Sequence, residues 1–131
     1  IGLVAAVTCI VHFSILTLSN REAFVKKSWA PIVFSFRWPS VAYALDILAW
    51  DVFFALAMFF AAPVFGGTGL ANTVRVLMIV SGVLALAGVL GVITSDMRYR
   101  NIGIIGYVGV FWIVSVLLVI VFWRAEPLNG S

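Results

Sequence analysis

Four apolar runs separated by short polar connections set the pattern of this chain. The first is IGLVAAVTCIVHFSILTL, residues 1–18; the second runs over residues 39–66, from Pro39 to Gly66. The third is RVLMIVSGVLALAGVLGVI, residues 75–93, and the fourth is IGIIGYVGVFWIVSVLLVIVFW, residues 102–123. At ~1.5 Å of rise per residue, about 20 helical residues cross a ~30 Å hydrocarbon core. Each run therefore predicts a membrane-spanning helix. The second is longer than needed, so it should tilt, kink or protrude, and Pro63 is placed to bend or end it. Pro39 suits a first helical turn, Asn72 or Thr73 can cap the third helix, and Asn101 can cap the fourth. The connections GGTGLANT and SDMRYRN are short, which makes the helices they join antiparallel neighbours. The expected fold is all-α: one integral membrane four-helix bundle forming a single transmembrane domain over residues 1–131.

The first connection, SNREAFVKKSWAPIVFSFRW over residues 19–38, has a different texture. Trp29, Ile32, Val33 and Phe36 are spaced to share one helical face. This predicts a short helix lying in the headgroup region, apolar face down, with Arg21, Lys26, Lys27 and Arg37 reaching lipid phosphates. An irregular loop turning at Pro31 is the alternative.

Composition removes the soluble alternative. The chain is 64% hydrophobic and 10% charged, with a mean hydropathy of +1.20. A soluble fold of this length cannot hide that much apolar surface. The net charge of +3 would suggest nucleic acid in a soluble protein. Here the basic residues flank apolar runs, which points to the lipid bilayer as partner and away from nucleic acid. Arg21, Lys26, Lys27, Arg37, Arg98 and Arg100 fall on one side of the four runs, Arg75 and Arg124 on the other. The positive-inside rule then puts the first and third connections in the cytoplasm of a multi-pass cell-membrane protein. The chain begins at Ile1 without an initiator Met, so upstream residues and a shortened first run are expected. Cys9 is the single cysteine, which excludes an internal disulfide and any metal-type cysteine spacing.

The polar residues inside the apolar runs are the candidate chemistry. Counted from the cytoplasmic ends, His12, Asp46 and Tyr107 lie about 10 Å deep. Asp51, Ser81 and Ser115 form a second layer near the midplane, and Trp50 sits between the layers. An Asp at bilayer depth costs at least ~2.5–3.5 kcal/mol on the insertion scale, so it must face the bundle interior or water. Five residues turn Asp51 roughly 140° around the helix from Asp46, so the two acids should not share one seam. Matched depth predicts His12 within reach of Asp46. As a packing clasp, Asp51 would bond a Trp indole or a serine such as Ser81 or Ser115; no Lys or Arg is expected at its level.

Two functions follow. Intramembrane carboxylates serve proton and cation relays or anchor a ligand, which predicts transport or sensing of a proton, cation or small amphiphile. The alternative is a non-catalytic assembly or binding subunit whose buried polar residues only fix helix packing. HExxH, GxSxG and a usable Cys–His pair are all missing, so no hydrolytic constellation is visible, and no cofactor or metal is expected. Small residues in the third run (Ser81, Ala85, Gly88) and fourth run (Gly103, Gly106, Gly109) predict close helix contact, within the chain or in a homo-oligomer.

Overall fold

The computed structural model describes residues 1–125, which form an all-helical fold with no strand among them. Six helices follow one another: α1 (Gly2–Leu18), α2 (Glu22–Val25), α3 (Ala30–Phe34), α4 (Val41–Val64), α5 (Leu70–Thr94) and α6 (Met97–Arg124). Helices α4, α5 and α6 are long and apolar enough to cross a membrane; α1, at 17 residues, is shorter. Large apolar side chains such as Phe13, Leu16, Phe60 and Phe122 point outward. Such a surface would be severe in water and is ordinary against lipid tails.

Several helix ends differ from the sequence expectation. Helix α4 starts at Val41, not at Pro39, because Ser40 caps it: the Ser40 hydroxyl accepts from the Tyr43 N–H at 3.2 Å and donates to the Ser35 carbonyl. Helix α5 begins at Leu70, ahead of Asn72 and Thr73, directly after Gly69 at φ 69°. That left-handed backbone is open to glycine without penalty. Helix α6 begins at Met97, with Asp96 as its cap in place of Asn101; the Asp96 carboxylate accepts from the Arg98 N–H at 3.0 Å. The Arg98 guanidinium also chelates this exposed carboxylate, which holds Asp96 below the usual carboxylate range. Pro63 lies in the 3₁₀ turn Ala62–Val64 that ends α4, as its position suggested.

The first connection is not one amphipathic helix. It folds as α2 and α3, and the chain turns extended at Ser35, which breaks the face shared by Trp29, Ile32, Val33 and Phe36. Phe24, Trp29 and Phe34 gather into an aromatic cluster instead, with ring centroids 5.7–6.3 Å apart. Trp29, Ile32 and Phe36 remain exposed, as do Arg21, Lys26, Lys27 and Arg37.

Helix α5 is the spine, packed along the second half of α4 and along α6, while α1 packs on the first half of α4. The core is Ala49, Phe54, Ala55, Met58, Val74, Met78, Ala85 and Val114. Small residues bring α5 and α6 together. A Cβ on Gly103 would stand 3.2 Å from the Gly88 Cα, and one on Gly106 would stand 2.7 Å from the Ser81 carbonyl. Contact between the helices of one chain thus accounts for Ser81, Ala85, Gly88, Gly103 and Gly106, whereas Gly109 faces open space.

Gly103→Ala should lower stability by about 1–3 kcal/mol, the usual range for overpacking a tight contact. Gly109→Ala should be neutral or slightly stabilising. Thermal unfolding of the two variants in the same lipid nanodisc measures this; equal midpoints would refute the close approach.

Candidate functional site

Three charged side chains meet between α4, α5 and α6. Arg100 stands at the start of α6's first α-helical turn, where Gly91 of α5 lets its backbone come close. Its Nη2 donates to Asp46 Oδ2 at 2.7 Å, and its Nε lies 3.6 Å from Asp51 Oδ2. The face of Tyr43 packs against the guanidinium, 4.5 Å from Cζ to the ring centroid. Relative exposure is 7% for Arg100, 4% for Asp46 and 0% for Asp51. Gly88 and Gly103 leave the space that Asp51 fills: a Cβ on either would fall 2.5–2.7 Å from Asp51 Oδ1.

The sequence expectation that the two acids face different ways is overturned, and the backbone supplies the reason. Residues Leu48–Phe53 form a π-helix, in which the Phe54 N–H bonds the Ala49 carbonyl five residues back. A turn closed by i→i+5 bonds stacks residues five apart, so Asp51 comes over Asp46 rather than 140° away from it. One guanidinium can then face both. The expectation that no cation reaches the level of Asp51 fails for the same reason, together with the length of the Arg side chain. Arg100 also leaves the set of loop cations, since it is buried within the bundle.

A second π-helix, Ile105–Val110 in α6, lies across from the first. Its Gly106 carbonyl accepts from the Phe111 N–H and also from Ser81 Oγ at 2.9 Å. Ser115 Oγ donates to the Phe111 carbonyl at 2.8 Å. Neither serine is therefore a hydrogen-bond partner of Asp51, correcting the expected pairing. Both Asp51 oxygens, and Arg100 Nε, have no hydrogen-bond partner among the described residues. Buried carboxylates in that condition are uncommon and call for an explanation.

The cluster opens toward a cavity of about 390 Å³, lined by Thr8, His12, Phe36, Asp46, Trp50 and Arg100 with Tyr107 beyond them. His12 and Asp46 do share this space, but His12 Nδ1 donates to the Thr8 carbonyl at 2.9 Å and Asp46 bonds Arg100 instead. His12 Nε2 is left for other partners. Trp50 and Tyr107 stack across the wall at 5.2 Å, and Phe36 bridges His12 and Tyr43 at 5.3 and 5.0 Å. Of the candidate residues, Asp46, Asp51, Trp50, Tyr107 and His12 thus converge; Ser81 and Ser115 serve helix α6. Among the described residues, no three His, Cys, Asp or Glu side chains are grouped to hold a metal ion.

Arg100 and Tyr43 are the residues sequence reasoning missed. A signal existed: two acids in an apolar helix need a cation, and Arg100 is the basic residue nearest the start of the fourth apolar run. No known protein family, no curated protein and no solved structure matches the chain.

Removing one partner from a buried ion pair leaves an uncompensated charge, at a cost of about 3–5 kcal/mol. Arg100→Gln should show a loss of this size in nanodisc unfolding. Adding Asp46→Asn should restore part of it, giving a clear coupling energy in the double-mutant cycle. Additive losses would mean the two groups do not interact.

Proposed function

We propose that this chain is a small multi-pass membrane protein that transports or senses a proton, cation or small amphiphile through Asp46 and Asp51. In this proposal α1 is a fourth span beside α4, α5 and α6, and the four form a membrane bundle. The observation that carries it is the charge balance of the cluster. Two carboxylates share one guanidinium, so the ionised trio bears a net charge of −1 at buried positions. A single buried charge is expensive, and one proton or one monovalent cation removes it. The π-helix supports the same view, since such segments are enriched at functional sites. The cavity beside Asp46 adjoins the cluster and is lined in part by Phe36 of the first connection.

The arrangement across the membrane is proposed from the cations. Arg21, Lys26, Lys27, Arg37 and Arg98 lie toward one end, against Arg75 and Arg124 at the other. Even without Arg100 this bias favours a cytoplasmic first connection. Helices α2 and α3, with exposed Trp29 and Ile32 beside Lys26 and Lys27, suit the headgroup region.

An assembly subunit is the second reading, favoured by the 2.7 Å bond from Arg100 to Asp46, which satisfies that pair internally. The two readings part at Asp51. In proteoliposomes, Asp51→Asn should fold normally yet abolish proton-coupled flux or the pH dependence of ligand binding. Full retention of both would favour the assembly role, because Asn keeps the shape and leaves the cluster neutral.

Orientation has its own check. A cysteine at position 27, in a Cys9→Ser background, should resist an impermeant thiol reagent added outside intact cells, and one at position 70 should react. The reverse result would invert the proposed topology.

A further inference from the structure

We propose that the crevice between α1, α4 and α6 binds a single-chain amphiphile with a cationic head, the head at Asp46 and the chain along Trp50 toward Trp112. This rests on the functional proposal above and names its substrate class.

Shape is the first observation. Three cavities meet at Trp50. The one beside the charged cluster measures about 390 Å³; two others, each about 320 Å³, continue from it. One of these shares Tyr107 and Val108 with the first and ends at Trp112 and Ser115. The other shares Thr8 and is lined by Val4, Cys9, Phe54 and Phe111. The first cavity lies within the size range of small-molecule sites, and the additional volume is elongated along the helices. From Ile104 to Ser115 the crevice follows about three turns of α6, on the order of 15 Å. Val108 and Trp112 are well exposed, so its long side is open to the surrounding lipid.

Polarity is the second. The charged side chains Asp46 and Arg100 sit at one end, beside the His12 imidazole. The remainder is walled mostly by aromatic and aliphatic groups; the branch toward Trp112 includes Ser115, whose hydroxyl is bonded to its own helix, and the other branch includes Thr8 and Cys9. A site polar at one end and greasy along the rest suits a head-and-tail molecule. A compact hydrophilic ion would leave the greasy part unused.

Charge decides the head. Arg100 is already faced by two carboxylates, so an anion would add to an existing excess of negative charge. Asp46 accepts its one described hydrogen bond at Oδ2 and lines the cavity, which leaves Oδ1 for a bound head. Phe36, Trp50 and Tyr107 around it offer ring faces, which attract cations.

The test uses decyltrimethylammonium below its micellar concentration, with decanoate as the anion of equal chain length. Binding to the protein in nanodiscs is read by calorimetry against empty nanodiscs. The expected result is saturable binding of the cation, at least tenfold tighter than decanoate. Asp51→Asn, which removes the excess charge, should weaken the cation about tenfold, roughly the effect of one lost favourable interaction. Val108→Trp narrows the crevice where its two halves join and changes no charged side chain, and should abolish binding while thermal unfolding stays unchanged. Tighter binding of decanoate, no saturable binding of either probe, or full binding by Val108→Trp would each overturn the proposal. Loss of proton-coupled flux in Asp51→Asn without cation binding by the unmodified protein would overturn the amphiphile and leave the proton role standing. Cation binding that persists in a protein without flux would do the opposite to the transport reading.

Discussion

One guanidinium between two carboxylates is the constraint around which the long helices are arranged. Arg100 brings a positive charge from α6 into a bundle that already holds Asp46 and Asp51 on α4. In an apolar interior none of the three is tolerable alone. Their meeting requires α4 and α6 to lie against α5 at close range, and the glycines supply that range. Gly88 and Gly103 are bare on the sides facing Asp51, and Gly91 is bare facing Arg100. The small residues are thus tied to the charges: a bulkier α5–α6 seam would push α6 away and open the ion pair.

The π-helix in α4 is the second half of the same arrangement. An α-helix through residues 48–53 would point Asp51 away from Arg100 and leave it buried without a cation. The wider turn gives up ideal α-helical bonding over six residues and places both acids on one side. The matching π-helix in α6 turns Tyr107 onto Trp50, and its Gly106 carbonyl takes a second hydrogen bond from Ser81. Two irregular turns therefore shape the wall of the cavity, while the rest of each helix is α-helical apart from the 3₁₀ turns Ala62–Val64 and Met97–Tyr99.

The helices themselves were legible from hydropathy, because a long uncharged apolar run has few other structures open to it. Their ends were less so. Pro39, Asn72 and Asn101 all resemble start signals, yet Ser40, Gly69 and Asp96 hold those positions, since capping depends on local backbone geometry that several nearby residues could supply. His12, Asp46 and Tyr107, given one depth by residue count, line one cavity. The expectation for Asp51 failed because helical phase was carried through residues where the helix is not α, and no residue in LAWDVF announces a π-turn. Arg100 was read as a loop cation because it follows Arg98 in a polar connection. Only the fold shows the two arginines parting, Arg98 outward to Asp96 and Arg100 inward to Asp46.

The shared guanidinium is open to direct measurement. Solid-state NMR on the protein in bilayers, with labelled Arg and Asp, can read dipolar couplings from Arg100 Cζ to the carboxyl carbons of Asp46 and Asp51, assigned with Asp→Asn variants. Couplings to both carbons are the predicted result. A coupling to Asp46 alone, with Asp51 turned away as an uninterrupted α-helix would hold it, would contradict the account.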